Sequence, residues 1–289
     1  MKNLNLVAEP WPDYELLDSG LNRKLERYGK FVVIRPETQA IWEPAHPDMW
    51  KDARAEFMWA NGKGAWKKKK EVPEAWELAW HEARFTARLT SFKHTGVFPE
   101  QAANWSWIAE RVRALSKPKV LNLFGYTGIA TIVAAQAGAE VTHVDASKQS
   151  NAWAKGNADL SDVPDGSIRF LLDDALKFVE REVRRGATYD GIILDPPAFG
   201  RGAKGEVWHI EEHLPRLLAA LAKIFSKKSG AFFLLNGYAA GYSPQSFLQA
   251  VESHFPATSV ASGEFGELHI KESKSDRVVP SGIYVRFVR

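Results

Sequence analysis

Between residues 119 and 199, four short apolar runs each end on a glycine or an aspartate: KVLNLFGYTG (119–128), VTHVDAS (141–147), SIRFLLDDA (167–175) and GIILDPPAF (191–199). Such runs read as strands buried on both faces, and the stretches between them carry helical periodicity. Strand and helix alternating in this way predict an α/β fold, a doubly wound and mostly parallel sheet. In such sheets ligands bind at the carboxyl ends of the strands, where the strand order reverses. The four polar endings therefore mark one candidate site.

The rest of the chain sorts around this core. Helices are predicted over about 99–115, 127–137, 148–158 with Ser147 as its cap, 174–185, 207–227 and 245–254. Further strands are predicted at 231–236 and in a closing pair that ends in GIYVRFV (282–288). The first 94 residues differ in character, since seven of the eleven tryptophans lie between Trp11 and Trp80. FVVIR (31–35) and QAIWE (39–43) read as a hairpin, and RAEFMWA (54–60) and HEARFTARLTSF (81–92) as strands. NGKGAWKKKKEVPE (61–74) reads as a glycine-punctuated loop bearing a lysine run. The expected organisation is a β-rich extension over 1–94 followed by the α/β domain over 95–289.

Composition narrows the chemistry. The chain contains no cysteine, which removes disulfides, zinc knuckles and a thiolate nucleophile from consideration. A net charge of +3 neither demands nor excludes a polyanionic partner. No apolar stretch is long enough to span a bilayer, and the N-terminus lacks an apolar signal core, so a cytoplasmic protein without membrane contact is expected.

At the strand ends, Gly125 and Gly128 let the backbone approach a charged ligand closely beside a helix N-terminus. Asp145, 20 residues past Gly125, is placed to accept both hydroxyls of a ribose. Asp173 and Asp174 are placed to accept an exocyclic adenine amine, and Asp195 follows the fourth strand. A dinucleotide site is the nearest competitor, because an acid at this distance belongs to that fingerprint as well. The spacing here is G-x-x-G rather than G-x-G-x-x-G, and hydride transfer gives no reason for D-P-P.

Taken together, VLNLFGYTGIA, VTHVDAS, RFLLDDAL and ILDPPAF resemble the successive motifs of class I S-adenosylmethionine (SAM) dependent methyltransferases. More narrowly, they resemble the bacterial 23S ribosomal RNA methyltransferases that act on cytosine C5 or guanine N7. TGVFPEQ (95–101) is similar to a segment that precedes the domain in that family, although Ala102 stands where the family has arginine. The resemblance implies a Rossmann-like seven-stranded fold with strand order 3-2-1-4-5-7-6 and SAM as cofactor. It implies that Asn122, Phe124, Gly125, Tyr126, Thr127 and Gly128 surround the methionine part of SAM, with Glu100 and Gln101 closing over it. Asp145, Ala146 and Ser147 would hold the ribose, and Asp173, Asp174 and Ala175 the adenine. It also implies RNA, in particular ribosomal RNA, as partner and substrate.

Methyl transfer from a sulfonium mainly requires that the nucleophile be positioned. Asp195 can accept a hydrogen bond from a base amine or from SAM, Pro196 and Pro197 stiffen the turn and offer carbonyls only, and Phe199 can stack on an unpaired base. These four are the expected catalytic residues. Cytosine C5 methylation needs a cysteine to add at C6. The C5 branch carries it just after the fifth strand, where this chain has LLNGYAAG (234–241), with Asn236 and Tyr238 as candidate target-pocket residues. A nitrogen target is therefore expected. HIEEH (209–213) matches an inverted zinc-peptidase pattern, but it lacks a third ligand and reads as a solvated helix face; no metal site is expected. Lys67–Lys70, Arg201 and Lys204 are candidate phosphate contacts. Methylation of a small molecule or protein, and a non-catalytic SAM- or NAD-binding module, are the alternatives.

Overall fold

The computed structural model describes residues 1–60, 63–202, 205–238 and 241–289. The chain folds as two compact units, and their division is not a single cut at 94/95. One unit comprises residues 1–6, 104–267 and 282–289, the other residues 7–103 and 268–281. Hydrogen bonding explains the exchange of segments. Lys2 and Asn3 add a short parallel strand beside Glu264 and Phe265, while Ser273 N–H donates to Leu16 O (2.8 Å) in the β-rich unit.

In the larger unit, strands β1 (Lys119–Leu123), β2 (Glu140–Asp145), β3 (Ile168–Leu172) and β4 (Gly191–Leu194) pair in parallel. With β5 (Phe232–Gly237), β6 (Glu264–Lys271) and β7 (Val278–Val288) they form one sheet in the order β3-β2-β1-β4-β5-β7-β6, as expected. β7 runs antiparallel to β5. Leu123 is in register with both Val144 and Leu194, so the strand ends that carry the candidate residues finish at one level. Period-2 alternation sends Leu121, Leu123, Ile192 and Leu194 into one core with α4 (Ala175–Arg184) and α5 (Ile210–Ile224). Each fully buried side chain of this kind stabilises the fold by roughly 1.5–3 kcal/mol. Asn122 and His143 face the opposite side, toward α2 (Ile129–Gln136).

The helix expected over 207–227 is shorter. Val207–His209 is a strand paired antiparallel with Phe199–Arg201, and α5 begins only at Ile210. The tryptophan decides this, because Trp208 is buried and its indole N–H donates to Pro197 O (2.7 Å).

The smaller unit holds a five-stranded sheet of Tyr14–Gly20, Arg23–Tyr28, Phe31–Pro36, Ala55–Ala60 and Lys63–Lys68, in that order. The partner of Phe31–Pro36 is therefore Arg23–Tyr28, not QAIWE. Residues 39–43 form a loop: Leu21 N–H donates to Trp42 O, and Ala45 and His46 N–H both donate to the Asp18 carboxylate. Lys63–Lys68 is likewise a strand rather than a loop, paired with Ala55–Ala60; residues 61 and 62 lie outside the described residues. Ala83–Ala87 pairs with Trp76–Trp80, so only part of 81–92 is extended.

This unit buries charge. Arg35 grips Glu26 with two hydrogen bonds (2.7 and 2.8 Å), and the Tyr14 and Tyr28 hydroxyls donate to the same carboxylate (2.9 and 3.0 Å). Burial alone would raise the Glu26 carboxyl, but Arg35 and then Lys24 overcome it and hold it at about 2. Glu100, also buried, has no such partner, and its Oε2 accepts no hydrogen bond among the described residues. Burial pushes its pKa up to about 7, against the weaker pull of Lys24. A carboxyl whose folded pKa lies above its unfolded value of 4.5 contributes fully below that value and loses its contribution as pH rises through 7. Glu100→Gln should therefore unfold at higher denaturant than the parent at pH 8, by on the order of 2–3 kcal/mol, and at nearly the same denaturant at pH 4.5. An equal difference at both pH values would show that packing, not ionisation, is responsible.

Candidate functional site

The first loop of the site follows β1. Phe124 (φ 55°) and Tyr126 (φ 48°) both adopt left-handed backbone, as does Gly128 (φ 81°). Non-glycine residues held there cost about 1–3 kcal/mol each, and such strain concentrates at ligand loops. Backbone N–H groups of the loop help to hold it in place. Gly128 N–H donates to Gly125 O (2.9 Å), Gly125 N–H to Val144 O (3.2 Å), and Tyr126 N–H to Asp145 Oδ2 (2.9 Å). A Cβ on Gly125 would collide with the imidazole of His143 beneath it, and one on Gly128 would meet Ala154 Cβ at 2.8 Å. Both glycines are therefore fixed by close packing as well as by the turn.

His143 is the floor of this loop. It is fully buried, its Nδ1 lies 2.9 Å from Thr131 Oγ1, and burial pushes its pKa down to about 4. Thr131 in turn accepts from the Asn122 amide (2.8 Å). The Asn122 side chain is thus spent on a chain of buried contacts under the loop and does not point out of the strand end.

Asp145 lies where the first two loops meet. Its Oδ2 accepts from Tyr126 N–H and its Oδ1 from Ser147 N–H (2.8 Å), and burial raises its pKa against the pull of these two donors. Each oxygen keeps a further lone pair, so the carboxylate can still accept two hydroxyls. Ser147 caps α3 (Lys148–Leu160) by accepting from Ser150 N–H. Asn151, which the sequence did not flag, donates to Asp145 O (2.9 Å) and Ser147 O (3.2 Å), and its own Oδ1 is buried without a partner among the described residues.

After β3, Asp173 N–H donates to Asp145 O (3.2 Å), which joins the second and third strand ends. The Asp173 carboxylate is bound by Arg181 and also accepts from Asp174 N–H. Asp174 caps α4 through Lys177 N–H (2.9 Å), leaving its second oxygen for a ligand, and Ala175 beside it is buried. After β4, Asp195 is half-buried, Pro196 is buried, and Pro197 and Ala198 are exposed. The Pro197 and Ala198 carbonyls are not free acceptors: Trp208 Nε1 and Ile210 N–H take them (2.7 and 3.1 Å). Phe199 is 51% exposed, with its ring 5.1 Å from that of His209 and the Arg201 guanidinium 6.0 Å away.

Trp208 is the residue that sequence reasoning missed. It lies 4.8 Å from the ring of Phe124 while holding Pro197, so a single indole couples the first loop to the fourth. Its signal, an apolar residue alternating with exposed Val207 and His209, was present but was read as a helix. The structure thus brings Phe124, Gly125, Asp145, Asp173, Asp174 and Asp195 to one edge. Asn236 is instead bound to Asn104, which in turn accepts from Arg286. Glu100 and Gln101 are buried residues of the smaller unit, and Lys204 lies outside the described residues. His209 ends a strand and His213 Nδ1 lies 2.9 Å from His209 O, and no metal-holding group occurs among the described residues. No helix among the described residues is long and apolar enough to cross a membrane.

The donor set suits a particular cofactor. Four carboxylates at the strand ends, with Arg181 binding Asp173, favour a cationic nucleoside and disfavour a pyrophosphate. A family model for S-adenosylmethionine-dependent methyltransferases matches residues 60–264. The crystal structure of a SAM-dependent methyltransferase from Agrobacterium tumefaciens is similar over 99% of this chain and 93% of that one, with 42% identity and a TM-score of 0.92. Among curated relatives, a ribosomal RNA large subunit methyltransferase K/L from a Shewanella species is 32% identical over 157 residues, 53% of this chain and 22% of that protein. The one from Pseudoalteromonas atlantica is 28% identical over 245 residues, 75% of this chain and 33% of its own. The matches thus span only about a fifth to a third of the length of these curated relatives.

Proposed function

This chain belongs to the S-adenosylmethionine-dependent methyltransferase family, and from that premise we propose that it methylates a nitrogen atom of RNA, with ribosomal RNA as the substrate class. One observation carries the reading: a half-exposed aromatic ring, Phe199, follows Asp195 by four residues across a turn that Trp208 holds at Pro197. The names of the curated relatives support RNA as substrate. The absence of cysteine from the chain supports nitrogen over cytosine C5.

SAM supplies an electrophilic methyl group on a sulfonium. Asp145 binds the ribose hydroxyls, with Ala146 and Ser147 completing its turn, and Asp174 accepts the adenine amine beside Ala175, supported by Asp173. The backbone of Phe124 to Gly128 lies along the methionine part, and Asn122 acts on it only through Thr131 and His143. Phe199 stacks on the target base, Pro196 and Pro197 fix the distance, and Asp195 accepts a hydrogen bond from the base; for an exocyclic amine it also takes the proton that the nitrogen sheds, whereas a ring nitrogen reacts through its lone pair and sheds none. Arg201, exposed beside Phe199, meets a neighbouring phosphate. Transfer of labelled methyl from SAM to separate RNA, protein and metabolite extracts tests this reading, followed by mass spectrometry of the labelled nucleoside. Label confined to protein or metabolites rejects RNA, and a carbon-methylated base rejects nitrogen.

The floor under the first loop yields a binding prediction. Gly125→Ala forces a methyl group into the His143 ring. Overpacking of this kind costs about 1–3 kcal/mol, so SAM affinity measured by calorimetry should fall about 5- to 150-fold. His143→Ala in the same chain should restore part of it by making room. No recovery in the double variant would mean that the backbone, not the imidazole, excludes the methyl group.

A further inference from the structure

The smaller unit exposes aromatic surface for which its own fold has no use. Trp59 is 62% and Phe92 66% exposed, against the usual burial of such rings. They belong to one row. In the hairpin of Ala55–Ala60 and Lys63–Lys68, Phe57 is buried between Trp59 and Trp66, with ring centroids 5.4 Å away on each side. The Trp66 indole N–H donates to Thr90 O (2.8 Å) and Phe92 O (3.2 Å), which fixes the Phe92 backbone beside the row. Lys63–Lys68 is also an edge strand of the five-stranded sheet.

The uncompensated charge on these two strands is positive, with exposed Glu71 following the lysine run. Glu56 is neutralised by Arg23 (3.2 Å) and Lys69 (3.1 Å), and Lys68 donates to Val72 O. Lys63, Lys67 and Lys70 are exposed and form no ion pair among the described residues. Lysines on an edge strand can serve only to deter pairing with another chain. That purpose does not explain a bare indole and a bare phenyl ring beside them, which make an edge more adhesive. A protein-binding patch would be depleted in lysine. Aromatic faces alternating with free ammonium groups are the combination that binds unpaired nucleic acid, with bases stacking on the rings and phosphates meeting the cations. Duplex RNA keeps its bases stacked inside and presents none to such rings.

We propose that this hairpin edge, with Trp59 and Phe92 as stacking faces and Lys63, Lys67 and Lys70 as phosphate contacts, is a binding surface for single-stranded RNA. The proposal rests on the reading of RNA as substrate and names the part of it that this unit holds. It is tested on the full chain with a short fluorescein-labelled oligouridylate, by anisotropy across a salt titration. Trp59→Ala combined with Phe92→Ala should weaken binding about tenfold or more, and Trp59→Phe should retain most of it. Replacing the three lysines with alanine should reduce the slope of log affinity against log salt by about 2. Unchanged affinity and slope in both sets of variants, or equal competition by duplex RNA, would overturn the proposal and leave the lysines as edge protection. Methyl transfer to RNA, measured alongside, separates the two readings. If the chain methylates no RNA yet binds the oligomer through these residues, the substrate reading fails and the surface stands. If it methylates RNA equally well with and without them, the surface fails and the substrate reading stands.

Discussion

Replacing Asp195 with alanine should slow methyl transfer about a thousandfold while SAM still binds. The carboxylate follows Leu194, a fully buried residue in register with Leu123, so the strand end that carries it is among the most rigid parts of the sheet. The Trp208 indole holds the turn at Pro197 O, a contact that does not involve the Asp195 side chain. The loss should therefore appear in kcat, since the proposed hydrogen bond and proton acceptance belong to the transition state. Asp195→Asn keeps the shape and can accept one hydrogen bond, but it cannot take a proton. It should lie between the parent and the alanine variant if the target is a ring nitrogen, and match alanine if it is an exocyclic amine. Turnover close to the parent in Asp195→Ala, with SAM affinity unchanged, would remove Asp195 from the mechanism.

The second large effect concerns stability. Arg35→Met leaves the Glu26 carboxylate buried without its bidentate partner, and breaking a buried pair from one side costs about 3–5 kcal/mol. The unfolding of the smaller unit should shift accordingly in denaturant. Its pH dependence should also change sign. In the parent, Glu26 titrates at about 2, below its unfolded value of 4.5, so its contribution is complete above 4.5 and declines as pH falls toward 2. Without Arg35, burial dominates and raises the carboxyl, so the variant should lose stability as pH rises instead. Restored stability in Arg35→Met with Glu26→Leu would identify the isolated charge as the cause. A variant of Arg35 alone as stable as the parent at neutral pH would show that Lys24 suffices.

These two predictions draw on regions that differed in legibility. Around Asp195 the pattern was plain, because parallel strands buried on both faces read as continuous apolar runs and their polar ends stand out. The order of the seven strands was implied by the family that the motifs at those ends resemble. Around Glu26 the pattern was hidden. RKLERY carries four charges in six residues, yet Arg23–Tyr28 is an interior strand whose Lys24 and Glu26 are buried, Glu26 against Arg35 and two tyrosines. Pairing across strands makes such burial affordable, and no periodicity along one strand records it. For the same reason QAIWE was given a partner it does not have, and the lysine-bearing Lys63–Lys68 was read as a loop. Asn122 looked like a ligand from its place near a strand end, but alternation turns its amide toward Thr131.

The sequence alone determined the sheet and the carboxylates at its strand ends, because both are written in local runs of residues and the turns that follow them, and the family that its motifs resemble implied the strand order and the cofactor. The tertiary structure decided which of those residues remain available. Thr131, itself bound to His143, occupies Asn122, Trp208 occupies the Pro197 carbonyl, and Phe199 is left exposed. The physical reason is that a polar group buried beside a partner must satisfy its hydrogen bonds there, and the partner is chosen by neighbours far away in the chain.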